Sequence, residues 1–357
     1  MNKLGVIRRS LGYKPYRSFG HPQMLPINLT VSLTYRCNSR CKTCNVWKKS
    51  SYELTVDEYS KIFDSIGNVY WFTFSGGEPF LRNDITDVCK VAYEKCNPGI
   101  INIPTNGLLF DVIPKRVTEI VEACPKTQIV VNVSLDGVGS QHDEIRCIPG
   151  NFEKTMKTYA ALRSIKADNF ELGIHTVISR FNVKDIQQIH EQLRLLKSDS
   201  YITEIAEERV ELDTIGAGIT PSLEEYSNAV DYLSEFVKQN EWQGTSKLTQ
   251  SFRIEYYKLV KQALKEKRQP IPCYAGVASA QISPDGDVWT CCIRADPVGN
   301  LRTENYDFRK VWFSDKAKAL RASIKTGECW CPLANASYTN MLCNFKTLAK
   351  VAWRWIG

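Results

Sequence analysis

The sequence predicts an α/β fold, with a curved or barrel-like parallel sheet followed by a small cysteine-rich domain. Three observations lead there. Strand-like and helix-like stretches alternate six times between residues 28 and 237, and such a series makes a parallel sheet with helical crossovers. The conspicuous motifs fall at the C-terminal ends of the expected strands, where β/α folds gather function. After Pro270-Ile271-Pro272 the periodicity changes, and six of the thirteen cysteines lie from Cys273 to Cys343.

The elements follow in order. Asn28–Thr34 alternates apolar and polar residues, as a strand does. A helix near Thr55–Ile66 opens with Asp57 and Glu58 in its first turn. Tyr70–Ser75, Ile100–Pro104, Gln128–Leu135, Glu171–Ile178 and Tyr201–Ala206 read as further strands. Helices are expected at Asn83–Cys96, Val112–Ala123, Phe152–Ile165, Val183–Leu196 and Pro221–Val237. Residues 1–27 read as a basic lead-in, 28–243 as the core and 244–269 as a helical connector. Residues 270–345 read as the small domain and 346–357 as an amphipathic tail. In the small domain, Ser283-Pro284-Asp285-Gly286 is a hairpin signal between Ala280–Ile282 and Val288–Cys292. Asp315–Ile324 follows as a short helix.

Composition narrows the class. The 357 residues are 43% hydrophobic and 24% charged, which describes a folded chain with a full-size core. The net charge of +7 is mild and its basic residues read as dispersed, so nucleic-acid binding is not expected. The first residues lack the apolar region of a signal peptide, and no apolar run has transmembrane length. Thirteen cysteines in such a chain point to reduced thiols in the cytoplasm, two groups of them at metal sites.

Cys37-x3-Cys41-x2-Cys44 follows the first strand directly. Three thiolates on one short loop can hold three corners of a cubic iron–sulfur cluster and leave the fourth iron open to a ligand. A structural zinc site needs four ligands, and no fourth Cys or His lies nearby in the sequence.

This spacing resembles that of the radical S-adenosylmethionine superfamily. The resemblance implies a partial (β/α)6 barrel and a [4Fe–4S] cluster on Cys37, Cys41 and Cys44. It implies reductive cleavage of S-adenosylmethionine to a 5′-deoxyadenosyl radical that abstracts hydrogen from substrate. A reductant such as flavodoxin or ferredoxin is then a partner. Ser75-Gly76-Gly77-Glu78-Pro79 resembles the family's GGEP motif, so Gly76, Gly77 and Glu78 are expected at the methionine amino group. Thr105-Asn106-Gly107 matches a T-N-G found near the cofactor, which puts Asn106 there. Ser134-Leu135-Asp136-Gly137 resembles a segment used for ribose hydroxyls or the methionine carboxylate, through Ser134 and Asp136. Arg146 matches an arginine that pairs with that carboxylate; its structural alternative is an exposed salt bridge with Asp143. Thr43 stands where the family often has an aromatic residue, which leaves Trp47 or Tyr35 to face the adenine. His175, within the fifth strand, reads as a core histidine.

The second cysteine group suits either a [4Fe–4S] cluster or a structural zinc on spacing alone. Its order of cysteine, hairpin, cysteine, Gly299-Asn300-Leu301, helix and Cys-x-Cys resembles the SPASM/twitch extension. One auxiliary [4Fe–4S] cluster is expected, on Cys273, Cys291, Cys329 and Cys331, with Cys292 and Cys343 in reserve. Two fully cysteine-ligated clusters need about eight cysteines.

Phe345–Gly357 places Lys346, Lys350 and Arg354 on one helical face, with Phe345, Leu348, Ala352, Trp355 and Ile356 filling much of the rest. Either it packs on the enzyme body or it makes a peripheral membrane contact. The favoured substrate is a small molecule, a sugar or a lipid-linked compound. The alternatives are a peptide delivered by a separate leader-binding partner, and a non-catalytic zinc-binding interaction protein. GGEP and S-L-D-G at successive strand ends distinguish the enzyme from the zinc scaffold, which needs neither.

Overall fold

The computed structural model describes residues 3–240 and 244–356. Among these, nine strands form one sheet: β1 (Asn28–Thr34), β2 (Trp71–Gly76), β3 (Ile100–Thr105), β4 (Gln128–Ser134), β5 (Phe170–Ile178), β6 (Ser200–Ile205), β7 (Ser279–Ile282), β8 (Asp287–Trp289) and β9 (Pro297–Asn300). Their order is β6-β5-β4-β3-β2-β1-β7-β8-β9. Neighbours from β1 to β6 are parallel, with helical crossovers between them. β7 pairs in parallel with β1, and β8 and β9 continue antiparallel. The cysteine-rich region thus extends the sheet of the core, and the sheet does not break near residue 270.

The two faces of this sheet differ in chemistry. Leu29, Val31, Leu33, Phe72, Phe74, Ile101, Ile103, Ile129, Val131 and Val133 alternate along β1–β4 and pack into one core with the crossover helices. The opposite face carries Thr30, Ser32, Thr73, Asn102, Asn132, His175, Glu204 and Gln281. Hydrogen bonds run across it: Asn132 Nδ2 donates to Asn102 Oδ1 at 2.6 Å, and Gln281 Nε2 to Ser32 Oγ at 3.0 Å. The helix Ala334–Leu342 closes its lower end, where Asn28 Nδ2 donates to Asn335 Oδ1 (2.7 Å) and Asn335 Nδ2 to Thr30 Oγ1 (2.8 Å).

The expected lead-in contains a 17-residue helix, Lys3–Phe19. Gly12, Pro15 and the basic residues hide it in the sequence. Tertiary packing supplies what propensity does not: Tyr13 and Tyr16 are buried against Ile27, Tyr274 and Val277. The connector is a helix, Gly244–Glu266, with Tyr256, Tyr257 and Val260 buried. The last helix, Phe345–Ile356, buries Val351, and its Arg354 Nη2 lies 2.5 Å from Glu255 Oε1 on the connector. The side chains of Trp355 and Ile356 lie outside the described residues.

Candidate active site and auxiliary centre

Cys37, Cys41 and Cys44 leave the C-terminal end of β1 on one loop. The helix Ser140–Arg146 holds that loop from below. Its last carbonyls lack intrahelical partners; Arg40 N and Ser39 Oγ each donate to Arg146 O at 3.2 Å, and Lys42 N donates to Ile145 O at 2.9 Å. The GGEP turn clamps the loop's start: Gly77 N donates to Thr34 O (2.7 Å) and Glu78 N to Arg36 O (2.9 Å). The approach is so close that a Cβ on Gly76 would strike Thr34 O and one on Gly77 would strike Arg36 O. Gly76 also has φ +114, a conformation that favours glycine.

N–H groups surround the thiols. Ser39 N donates to Cys37 Sγ (3.4 Å), Asn106 Nδ2 stands 3.8 Å from the same sulfur, and Arg146 Nη1 donates to Cys41 Sγ (3.6 Å). Burial pushes the Cys37 thiol up to about 11 and Cys44 up to about 12, with the neighbouring thiols adding to it. Deprotonated sulfur would therefore need a metal to hold it, and metal binding would release protons. Three thiols with N–H donors aimed at them fit a cluster whose sulfurs accept hydrogen bonds.

Glu78 is buried and fully engaged. Thr105 Oγ1 donates to its Oε1 (2.9 Å), Asn106 N to its Oε2 (2.8 Å), and Phe80 N to Oε1 (3.3 Å). Burial still raises its carboxyl to about 7. Asn106 adds a bond from Nδ2 to Asn38 Oδ1 (2.7 Å), so the second and third strand ends brace the cysteine loop together. Ser134 ends β4 on the polar face, half-buried. Asp136 is buried; its Oδ1 accepts from Val177 N (2.9 Å) and its Oδ2 pairs with Arg146 Nη2 (2.7 Å). Arg146 therefore makes neither the exposed bridge to Asp143 nor an open carboxylate site. It is a buried cation between Asp136 and Cys41, and its Nε has no hydrogen-bond partner. Tyr35 is buried against Val46 and Trp289. The Trp47 ring lies under Arg40 at 4.5 Å. His175 pairs with Glu204 across β5 and β6, Nε2 to Oε1 at 3.3 Å.

Cys273, Cys291, Cys329 and Cys331 line one small, mainly apolar cavity with Ile293 and Trp330. Burial pushes Cys273 up to about 12, with Cys291 and Cys329 adding to the shift. Arg17 Nε donates to Cys273 O (2.8 Å), and Cys331 N donates to Gln269 Oε1 (3.2 Å). The two reserve cysteines sit apart. Cys292 turns toward Arg209, whose Nη1 lies 3.7 Å from its sulfur. Cys343 packs under Tyr13 and Tyr274. Among the described residues, no three His, Cys, Asp or Glu side chains converge as a single metal ion requires.

The sequence reading missed Glu207, Arg209 and Glu211. A charged run directly after β6 reads as a solvated turn. In the structure Glu207 and Glu211 are buried and Arg209 largely so, while Glu208 between them caps Gly216 N and Gly218 N at 2.7 Å. Alternation at every second position was the available signal.

Two family profiles match the chain: the radical SAM superfamily over residues 31–193, and an iron–sulfur cluster-binding domain over residues 273–332. The second match does not favour the zinc reading. The AdoMet-dependent heme synthase of Methanosarcina barkeri is 26% identical over 312 residues, covering 80% of this chain and 82% of that protein. The antilisterial bacteriocin subtilosin biosynthesis protein AlbA of Bacillus subtilis is 25% identical over 337 residues, covering 87% and 66%. Among solved structures, anSMEcpe with bound AdoMet aligns with a TM-score of 0.60 at 17% identity, covering 82% of each chain. Streptococcus suis SuiB bound to S-adenosylmethionine aligns at 0.61 and 16%, covering 84% of this chain and 68% of that one.

Proposed function

Because this chain belongs to the radical SAM superfamily and carries a C-terminal iron–sulfur cluster-binding domain, we propose that it functionalises a polar, hydrogen-bonding small molecule, with sugars and sugar-bearing lipids as the favoured class. Cys37, Cys41 and Cys44 would hold the [4Fe–4S] cluster, which when bound supplies the electron that cleaves S-adenosylmethionine and starts the radical reaction. Cys273, Cys291, Cys329 and Cys331 would hold the auxiliary cluster. Gly76 and Gly77 bring backbone polar groups to the rim of the cysteine loop, where an amino acid's ammonium and carboxylate can be bound. Glu78 and Asn106 act by bracing that rim. Ser134, at the open end of β4, has a hydroxyl suited to ribose. The Asp136–Arg146 pair orients the loop and places a positive charge beside Cys41.

The observation that carries the substrate class is the polar face of the sheet. Ser32, Asn102, Asn132, His175 and Glu204 make this wall polar, paired with one another or with Glu211 and Gln281, and Asn132, a residue 5% exposed, keeps its Oδ1 without a partner. Such a wall suits hydroxyls and amides. It suits less well the broad apolar face of a tetrapyrrole, the class named in the heme synthase relatives. A peptide, like the precursor peptide SuiA bound by SuiB, is the second reading; a backbone amide would also suit Asn132.

The test is anaerobic incubation of reconstituted protein with dithionite and S-adenosylmethionine. 5′-Deoxyadenosine is expected, and hydroxylated candidates should raise its yield above the uncoupled rate. Asn132→Leu should remove that stimulation and leave uncoupled cleavage intact. Stimulation by peptides alone would overturn the small-molecule reading.

The terminal helices support a cytoplasmic enzyme resting on a membrane surface. No Asp or Glu precedes Glu53 or follows Glu328, so the positive charge of the two ends is unopposed by acidic residues of their own. The two terminal helices meet where Lys14 Nζ sits 5.5 Å over the Phe345 ring. Phe19 is 80% exposed and Trp353 82%. Exposed basic and aromatic side chains on these two touching helices suit anionic lipid headgroups. No described helix is long and apolar enough to span a bilayer. Flotation with phosphatidylglycerol vesicles should carry the protein, and Lys346→Glu/Lys350→Glu should release it. Equal flotation of both proteins would overturn the contact.

A further inference from the structure

The loop after β6 touches both cysteine centres. Asn45, next to Cys44, donates from N to Leu212 O (2.9 Å) and from Nδ2 to Asp213 O (2.8 Å). On its other side Val210 N donates to Ile293 O (3.1 Å) and Glu211 N to Cys292 O (3.3 Å), beside Cys291. Ser32 Oγ on β1 donates to Glu211 Oε1 (2.8 Å), and Gln281 on β7 also bonds that oxygen. One side chain of this loop carries charge into the space between. Arg209 Nε lies 2.7 Å from Glu207 Oε1, its Nη1 3.7 Å from Cys292 Sγ and its Nη2 4.0 Å from Glu204 Oε1. Glu207 is 4% exposed, and neither of its oxygens has a hydrogen bond of good geometry. Cys44 packs in one cluster with Leu212, three residues beyond Arg209 on this loop.

We propose that Arg209 is a positioning residue that sets the redox balance of the two cysteine centres, a single cation shared between them with Glu207 as its counter-charge. The proposal rests on the reading above, in which both cysteine groups hold clusters. Thiolate-held clusters carry negative charge, and each gains one more on reduction. A nearby cation stabilises the reduced form and raises the potential, and a nearby anion lowers it. In a buried site this influence is weakly screened. Glu204 is shared with His175, and the Glu211 carboxylate is held by Ser32 and Gln281. Arg146, beside Cys41, is a separate cation that the Arg209 and Glu207 variants leave in place.

The test is a redox titration of the full chain, reconstituted anaerobically and followed by electron paramagnetic resonance at pH 8.5. That pH lies above the value of about 7 to which burial raises Glu207. Iron content is read first. About eight irons are expected for two cubane clusters; about four would strike down the two-cluster reading, and the remaining centre's potential would still test Arg209. Arg209→Gln should move the potentials to more negative values, and Arg209→Lys should restore most of the shift. Glu207→Gln should move the auxiliary potential the other way, and the double variant should return near the parent. Packing damage alone would not produce shifts of opposite sign. Unchanged potentials in Arg209→Gln, or shifts of one sign in both single variants, would overturn the proposal. If Arg209→Gln fails to hold iron, Glu207→Gln decides alone: a positive shift supports it, and an unmoved or negative one overturns it.

Discussion

Arg146 and Asp136 form a buried ion pair, Nη2 to Oδ2 at 2.7 Å, and the free end of the same guanidinium reaches Cys41. The pair joins the end of β4 to the cysteine loop. Arg146→Ala should leave the Asp136 carboxylate buried without its counter-charge, at a cost of about 3–5 kcal/mol. Urea denaturation of the apoprotein measures that loss. Arg146→Lys should lose less stability but still bind iron poorly, because one ammonium cannot serve Asp136 and Cys41 together.

The cysteines divide into sets that iron analysis can separate. Cys37→Ala, Cys41→Ala and Cys44→Ala should each abolish 5′-deoxyadenosine formation and lose about half the iron. Cys329→Ala and Cys331→Ala should lose a similar share and keep the first cluster's spectrum. Cys147, exposed on the surface, and Cys343, packed under tyrosines, should tolerate alanine with full iron content.

Acid should loosen the seam between the first crossover helix, Val56–Ile66, and the turn after β9. There Arg302 Nε lies 2.6 Å from Glu58 Oε1, and Tyr306 OH donates to the same carboxylate at 3.0 Å. The Arg302 hydrogen bond, with help from Thr55 N, holds Glu58 down at about 2, below its ordinary 4.5. A depressed carboxyl stabilises the fold fully above its ordinary value and loses that stabilisation as pH falls toward the folded one. Stability should therefore fall between pH 4.5 and 2. Glu58→Gln should flatten that part of the curve and cost about 2 kcal/mol at pH 7. Thermal melts across pH measure both.

Gly173 on β5 makes room for side chains of its neighbours. A Cβ there would collide with Asn132 Oδ1 and come within 2.8 Å of Ser200 Oγ. Gly173→Ala should cost about 1–3 kcal/mol by overpacking. It should also blunt substrate stimulation without changing uncoupled cleavage, which is read from 5′-deoxyadenosine yield with and without substrate.

The alternation of strands and helices was legible from residue 28 to residue 237, because period-2 and helical patterns are local. The cysteine loop and GGEP were legible because few residue types can do their work. What stayed hidden depends on partners distant in sequence. The helix Lys3–Phe19 is stabilised by Tyr274 and Val277. The pairing of β7 with β1 cannot be seen in four residues, Ser279–Ile282. Asp136 and Arg146 were placed at the site, but their engagement with each other was not legible, because acid and base ten residues apart give no sign of meeting. The basic residues are dispersed over the chain, but the acidic ones are confined between Glu53 and Glu328, so the two ends carry unopposed positive charge.

The β1–β7 ladder joins Val31 to Ile282, partners about 250 positions apart. On a ribosome adding roughly 5–20 residues per second, β1 waits tens of seconds for its second neighbour. During that interval its outer edge is an open template for any passing strand, and the cysteine loop leaves the C-terminal end of that same strand. Synthesis order thus sets a hazard that the finished molecule no longer displays. Slowing translation between β6 and β7 should therefore lower the yield of folded protein, and a co-expressed chaperone should restore it.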